Sequence, residues 1–409
     1  MVILRNRQKG RFPMQYDFDT RVDRTNRGTI KELLFTPENI REKGFVSYSG
    51  AEFEFKTARP VIDAVKEATE NGLFGFTAAD GNYFSHVTWW LREVRGVEVP
   101  AEWILPVQGT IFSCATMIRL CTAHGEAVLV PAPGYNRYEQ AATRLGRKTV
   151  FSPMKMVNGA PELDLRDIGE KMARPEVKLL VLCNPNNPTG RIVREETLKE
   201  ILRMARENGV TIWSDEIFGD TPLDGSRVPV FAALAEEDDR VVSVISMGKT
   251  FSLTGVNHAN VIIRNPSLRA AYEAQRNADH FGSIDPMVYA ALCGGYTPEG
   301  KEWLSQMLAV VKGNNGRLIR FFAEHLPQVR VLPPEATYVL WADFSGLGLD
   351  EKELFDFLNN EAYFCCDPGE EYYGAPGMAR ICTAVPPREL EKSLAAFLEA
   401  ARARGLAAD

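Results

Sequence analysis

Between Val177 and Phe251 the chain repeats one cadence, an apolar run followed by a polar turn, and this repetition constrains the fold more than any other feature. Val177 to Cys183 is a near-continuous apolar run, the pattern of a parallel strand covered on both faces. It ends in Asn184-Pro185-Asn186-Asn187-Pro188-Thr189-Gly190. The next segment predicts a helix, because Leu198, Ile201, Leu202 and Ala205 share one face and Asn208-Gly209 closes it before Val210 to Ser214 restarts a strand. Such crossovers are right-handed in nearly all cases, so the two strands run parallel and the Asn187 loop and Asp215 leave the sheet at one edge. A third strand, Val241 to Ile245, delivers Ser246-Met247-Gly248-Lys249-Thr250-Phe251 to the same edge. Open α/β sheets place their chemistry at the carboxyl ends of strands, which makes Lys249 the candidate reactive centre.

Other strand ends extend this edge. A strand from Trp103 to Val107 runs into Gln108-Gly109-Thr110 and an apolar-periodic helix from about Ile111 to Ala123. Glycine lets a ligand approach the backbone and a helix N-terminus offers free N–H groups, so Gly109 and Thr110 are a candidate phosphate cradle; for an isolated Gly-Thr, a turn that merely needs glycine is the favoured reading. The strand Ala127 to Val130 leads to Pro133-Gly134-Tyr135, where the aromatic is a ring platform or a packing residue. Upstream, Thr36-Pro37-Glu38 reads as a helix start, Val61, Ile62, Val65 and Ala68 fit one face of a helix from Arg59 to Asn71-Gly72, and a further helix is expected from Ser85 to Arg95.

From about Glu302 the rhythm changes to a long helix, short strands at Val329 to Leu332 and Tyr338 to Trp341, and helices from Asp350 and Arg388, which indicates a smaller α+β domain. The expected organisation is an irregular, polar arm with part of the small domain at 1–47, a large domain at 48–295 with a mostly parallel sheet covered by helices, and a small carboxyl-terminal domain at 296–409. The 409 residues, 45% of them hydrophobic, suffice to bury more than one core.

Composition narrows the partners. A net charge of -7, with no stripe of lysine and arginine interleaved with aromatics, points away from nucleic acid and anionic membranes. Neither a signal-peptide apolar stretch nor a run long enough to span a bilayer is found, so a cytoplasmic location is expected. Seven scattered cysteines form no Cys-x-x-Cys pair and five dispersed histidines form no His-Glu-x-x-His, which argues for free thiols and against a zinc enzyme. A small-molecule substrate and a second copy of the chain remain.

A lysine, an aspartate and an asparagine at one sheet edge beside a phosphate cradle match the needs of pyridoxal 5'-phosphate. Lysine supplies the amine for a Schiff base, and a carboxylate at the pyridine nitrogen keeps the ring an electron sink. Asn187 suits the ring hydroxyl, Tyr135 the ring face, and Ser246 with the Gly109 and Thr110 amides the phosphate.

Tyr135, Asn184 to Gly190, Asp215-Glu216-Ile217 and Ser246-x-x-Lys249 resemble, in order and spacing, the fold-type I pyridoxal phosphate enzymes of the class I/II aminotransferase family. Asp17-Phe18-Asp19 through Arg24 to Thr29, Gly72-Leu73-Phe74-Gly75, Ala336-Thr337-Tyr338-x-x-Trp341-x-Asp343 and Gly369 through Gly377 to Arg380 are similar to the branch containing the cystathionine β-lyases. The resemblance implies a homodimer, a Lys249 Schiff base, and an amino acid substrate whose α-carboxylate meets Arg380. A guanidinium fork suits that carboxylate, and Met378 to Cys382 alternates like a strand. Three positions depart from many relatives: Phe218 where tyrosine or histidine is usual, Phe76 where a tyrosine reaches the neighbouring subunit, and Asn257 where aminotransferases often carry arginine.

Ser246-x-x-Lys249 also matches a serine-acylase motif, but no Ser-Asp-Asn, Lys-Thr-Gly or Gly-x-Ser-x-Gly accompanies it. A fold kept as a non-catalytic regulatory module is the alternative outside enzymology. Between the two reactions, the Asn-Asn-Pro-Thr-Gly wording and the absence of histidine after Asp215 favour an aminotransferase. The overall layout favours a carbon–sulfur β-lyase, and amino-acid transamination is the reading adopted from sequence.

Overall fold

The computed structural model describes residues 16–407, so the first fifteen residues of the expected arm lie outside the described residues. A seven-stranded sheet forms from β1 (Ile104–Val107), β2 (Ala127–Ala132), β3 (Lys148–Pro153), β6 (Val177–Cys183), β7 (Thr211–Asp215), β8 (Val241–Ile245) and β9 (Ala259–Ile262), with a small hairpin, β4 (Lys155–Val157) and β5 (Ala160–Glu162), set apart. The order is β1-β9-β8-β7-β6-β2-β3. β2, β3, β6, β7 and β8 pair parallel, whereas β9 pairs antiparallel with both β8 and β1. Cys183 lies opposite Asp215 and Asp215 opposite Val244, which brings the ends of three strands level.

Every residue of β7, β8 and β9 is buried, as expected where helices cover both faces. The helix Glu195–Asn208 is the crossover expected between β6 and β7, its buried stripe including Leu198, Ile201, Leu202 and Ala205. Two helical expectations change. The helix placed at Ser85 begins at Gly81 because the Asp80 side chain accepts from the Tyr83 N–H and caps it, and past Trp90 it widens into a π-type turn, Leu91–Arg95. In the helix Arg59–Asn71, Val61 is buried but Ile62 is exposed. Trp103 sits in a short 3₁₀ turn before β1, not in the strand.

A second, antiparallel sheet has the order β10-β11-β13-β12, from β10 (Arg330–Leu332), β11 (Val339–Asp343), β12 (Asp367–Pro368) and β13 (Met378–Cys382). It packs with the helices Glu351–Asp356 and Pro387–Ala403 around Phe344, Phe357, Phe364 and Phe397. The helix Pro298–His325 joins the two cores: Trp303, Met307 and Val311 enter the large one and Leu318, Phe321 and Phe322 the small one. Between these groups the Asn314 amide donates to the carbonyls of Thr383 and Val385, just past β13.

The described part of the arm packs on its own chain. Phe18 is fully buried against Phe55 and Trp303, while Ile40 and Phe45 pack with Cys365. Ile30, Leu33, Leu34, Leu73, Phe74 and Phe76 stay exposed.

Candidate active site

The eight residues singled out from the sequence, Gly109, Thr110, Tyr135, Asn187, Asp215, Ser246, Lys249 and Arg380, all line one cavity of about 580 Å³ at the carboxyl ends of β1, β2, β6, β7 and β8. Arg380 comes from β13, so the small sheet supplies the opposite wall.

Lys249 lies on a single helical turn, Met247–Thr250, capped by Ser246, whose hydroxyl accepts from the Gly248 N–H at 3.0 Å. The Lys249 Nζ donates to the Ala51 carbonyl at 3.2 Å and stands 5.7 Å from the Phe218 ring centre. Burial, followed by the positive charge of Arg380, lowers its pKa to about 8. An amine that deprotonates this close to neutrality is a usable nucleophile and base.

Asp215 ends β7, buried. Its Oδ2 accepts from the Tyr138 hydroxyl at 2.6 Å and its Oδ1 from the Ile217 N–H at 3.1 Å. Burial pushes its pKa up to about 6 against these hydrogen bonds and Lys249. A carboxylate of that basicity can share a proton with a pyridine-type nitrogen, a fit to the expected cofactor.

Asn187 and Arg380 meet directly: Nη1 of Arg380 donates to Oδ1 of Asn187 at 3.1 Å. That fixes the orientation of the Asn187 amide and leaves its Nδ2 a donor with no partner among the described residues. At the other end, Gly109 adopts φ +117° at the N-terminus of the helix Thr110–Cys121. The turn therefore requires glycine, and the same turn faces the cavity with free N–H groups, so the two readings of Gly109 are compatible. Ser246 differs from expectation in one respect: its single hydroxyl proton goes to the His258 carbonyl at 2.8 Å, so the oxygen must turn to donate to a phosphate.

Tyr135 meets Tyr138 edge-on, 5.6 Å between centres, which holds its ring upright beside the cavity. Phe218 is buried edge-on against Tyr338 and lines the cavity. Phe218 offers no hydrogen-bond donor, and of His86 and His258 only the latter lines the cavity, its buried Nδ1 without a partner among the described residues. His86 sits outside the cavity lining with Nδ1 2.9 Å from the Tyr296 carbonyl, and His258 has Nε2 2.8 Å from the Tyr83 hydroxyl and a pKa lowered to about 3 by burial.

Sequence reasoning missed Tyr138, Asp367 and Glu52. Tyr138 stands one helical turn beyond Tyr135, a signal that was present but not specific. Asp367 and Glu52 are brought in by the small sheet and by the strap Ser49–Phe55, which no local pattern announces. Below the floor lies a buried ionic cluster: Arg95 pairs with Glu216 at 3.2 Å, and Asp220 accepts from Trp90 Nε1 at 2.9 Å and from Thr250 Oγ1 at 2.7 Å. It anchors the residue next to Lys249.

Comparison with known proteins gives a consistent result. The family profile described as Aminotransferase class I and II matches residues 55–397. The cystathionine beta-lyase PatB of Bacillus subtilis is 29% identical over 333 residues, 81% of this chain and 86% of that protein. A probable aspartate/prephenate aminotransferase of Aquifex aeolicus is 28% identical over 367 residues, 87% of this chain and 91% of that one. Among solved structures, cystalysin from Treponema denticola, described as containing a pyridoxal 5'-phosphate cofactor, superposes with a TM-score of 0.89 at 26% identity, covering 96% of this chain and 100% of its own.

Proposed function

From the premise that the chain belongs to the aminotransferase class I and II family, we propose that it is a pyridoxal phosphate enzyme that cleaves a carbon–sulfur bond in an L-amino acid by β-elimination. The observation that carries the cofactor reading is the convergence of Lys249, Asp215 and Asn187 on one cavity whose floor is a glycine-bearing helix N-terminus. When bound, the cofactor supplies an electron sink for the substrate's α-carbon. Lys249 would hold it covalently and, as a free amine, has the basicity to take the substrate's α-proton. Asp215 would share a proton with the ring nitrogen, oriented by the Tyr138 hydroxyl. Asn187 would donate to the ring oxygen, Tyr135 would cover the ring face, and Ser246 with the Gly109 and Thr110 amides would receive the phosphate. Arg380 would bind the substrate's α-carboxylate in the cavity it shares with Lys249.

The lyase reading replaces the transamination adopted from sequence because the relative named a cystathionine β-lyase agrees with the four branch motifs. Transamination is the second reading, supported by the relative named an aminotransferase and by Asn186-Asn187-Pro188-Thr189-Gly190. Incubation with a panel of amino acids, with and without a keto acid, separates them. Pyruvate, ammonia and thiol without a keto acid support the lyase; a new amino acid that appears only with one overturns it.

The same proposal includes a homodimer in the cytoplasm. Leu73, Phe74 and Phe76 project unpacked beside the cavity mouth, and Leu33 and Leu34 are exposed on the arm, apolar surface that a second copy would cover. Seven cysteines without a disulfide suit a reducing compartment, and among the described residues no helix is long and apolar enough to cross a membrane. Sedimentation at working concentration tests the dimer; a stable, fully active monomer refutes it.

A further inference from the structure

Arg380 does not face the cavity as a free cation. It lies opposite Asp367 in the β12–β13 register, and its Nε and Nη2 donate to the Asp367 Oδ2 at 2.9 and 2.5 Å. Both side chains are buried, at 5% and 7% exposure. The carboxylate is itself built in: Ser49 Oγ donates to Oδ1, the Gly50 N–H reaches both oxygens at 3.1 Å, and the Tyr372 hydroxyl lies 3.4 Å from Oδ2. The Arg380 guanidinium also stacks 4.5 Å above the Tyr372 ring.

A guanidinium has five N–H groups in a planar fork. Two go to Asp367 and one to Asn187, which leaves one on each terminal nitrogen for a ligand oxygen. A ligand carboxylate arriving there meets a cation already matched by an anion on the far side of the same fork.

We propose that Asp367 is a specificity-determining residue, a built-in counter-anion that orients Arg380 but cancels much of its charge, so that the site binds neutral α-amino amides nearly as well as α-amino acids. The fork's two free N–H groups serve a carbonyl oxygen as readily as a carboxylate, whereas the Coulomb attraction that would separate the two ligands is largely spent on Asp367. The proposal rests on the reading that Arg380 receives the substrate's α-substituent.

Three probes without an α-hydrogen or without a carboxylate test it by equilibrium titration of the holoenzyme's visible absorbance: 2-aminoisobutyrate, its carboxamide, and isopropylamine. In the wild type the carboxylate should bind less than about tenfold more tightly than the carboxamide. Asp367→Asn should widen that gap by on the order of tenfold while leaving isopropylamine unchanged. Asp367→Ser, which keeps an oxygen but no charge, should do the same and serves if the asparagine variant does not fold. A wild-type gap clearly above about tenfold overturns the proposal, and so does an unchanged or narrowed gap in either variant, the result expected if Asp367 only props up Arg380. Arg380→Gln tests the underlying reading separately. If both carbonyl-bearing probes keep their advantage over isopropylamine in that variant, Arg380 is not their partner, whatever the Asp367 variants show.

Discussion

Replacing Asp215 with asparagine should make the cofactor-free protein more stable while crippling the enzyme. The carboxylate sits fully buried at the end of β7, with two donors that offset burial only in part, and its pKa rises from 3.8 to about 6. A raised carboxylate pKa means the folded state holds its proton more tightly than the unfolded state. That contribution to stability is whole below pH 3.8 and is lost as pH climbs to about 6, where the buried group must ionise. The difference of about two units corresponds to roughly 3 kcal/mol at neutral pH. Asparagine fills the same space, keeps an oxygen for Tyr138 or Ile217, and never ionises. Urea unfolding of cofactor-stripped protein should therefore show Asp215→Asn ahead of wild type by roughly 3 kcal/mol at about pH 7.5 and by about half that at pH 5. A gain of equal size at both pH values, or none at neutral pH, would show that ionisation of Asp215 is not the cost identified here. Turnover of the reconstituted variant should fall far more than its cofactor affinity, because the phosphate end of the site is untouched.

Lys249→Ala should lose turnover by several orders of magnitude and lose the borohydride-reducible chromophore, yet unfold near the wild-type midpoint, since it gives up a single long hydrogen bond to Ala51; substantial turnover in a folded variant refutes its role. Phe218→Tyr places a hydroxyl where the cofactor's ring oxygen is expected and should lower, by about one unit or less, the pH at which the bound cofactor's visible band changes; an unchanged or raised midpoint shows the ring oxygen to be independent of this position. Arg95→Met leaves Glu216 and Asp220 buried without their cation and should cost roughly 3 to 5 kcal/mol in urea unfolding; a loss below about 1 kcal/mol means the cluster is not held by charge.

The large sheet and its functional edge were legible because each of Val177 to Cys183, Val210 to Ser214 and Val241 to Ile245 is an apolar run ending in a turn, and crossover handedness fixes the rest. β9 was not: His258 directly before it and Asn260 within it break the apolar pattern, and their burial makes sense only beside Tyr83 from a distant helix. The Ser85 boundary slipped because Gly81 and Asn82 are weak helix formers, and only the Asp80 cap brings them in. Ile62 obeyed the helix period yet stayed exposed, since periodicity reports a face and not what lies against it. The site followed the same division. Asp215 ends a strand and Asn187 and Lys249 follow close after two others, so they could be read in order, whereas the Asp367–Arg380 and Tyr138–Asp215 pairs exist only through tertiary pairing.

The helix Pro298–His325 also fixes where evolution can change the length of this chain. Its two apolar groups, ending at Val311 and beginning at Leu318, must face two different cores, and each residue added or removed between them turns one group by about 100° and slides it about 1.5 Å relative to the other. Such a change would swing Phe321 and Phe322 out of the small core and draw Asn314 off the carbonyls of Thr383 and Val385, disturbing the strand that carries Arg380. The stretch from Lys312 to Arg317, remote from any substrate, is as fixed in number as the residues that touch one.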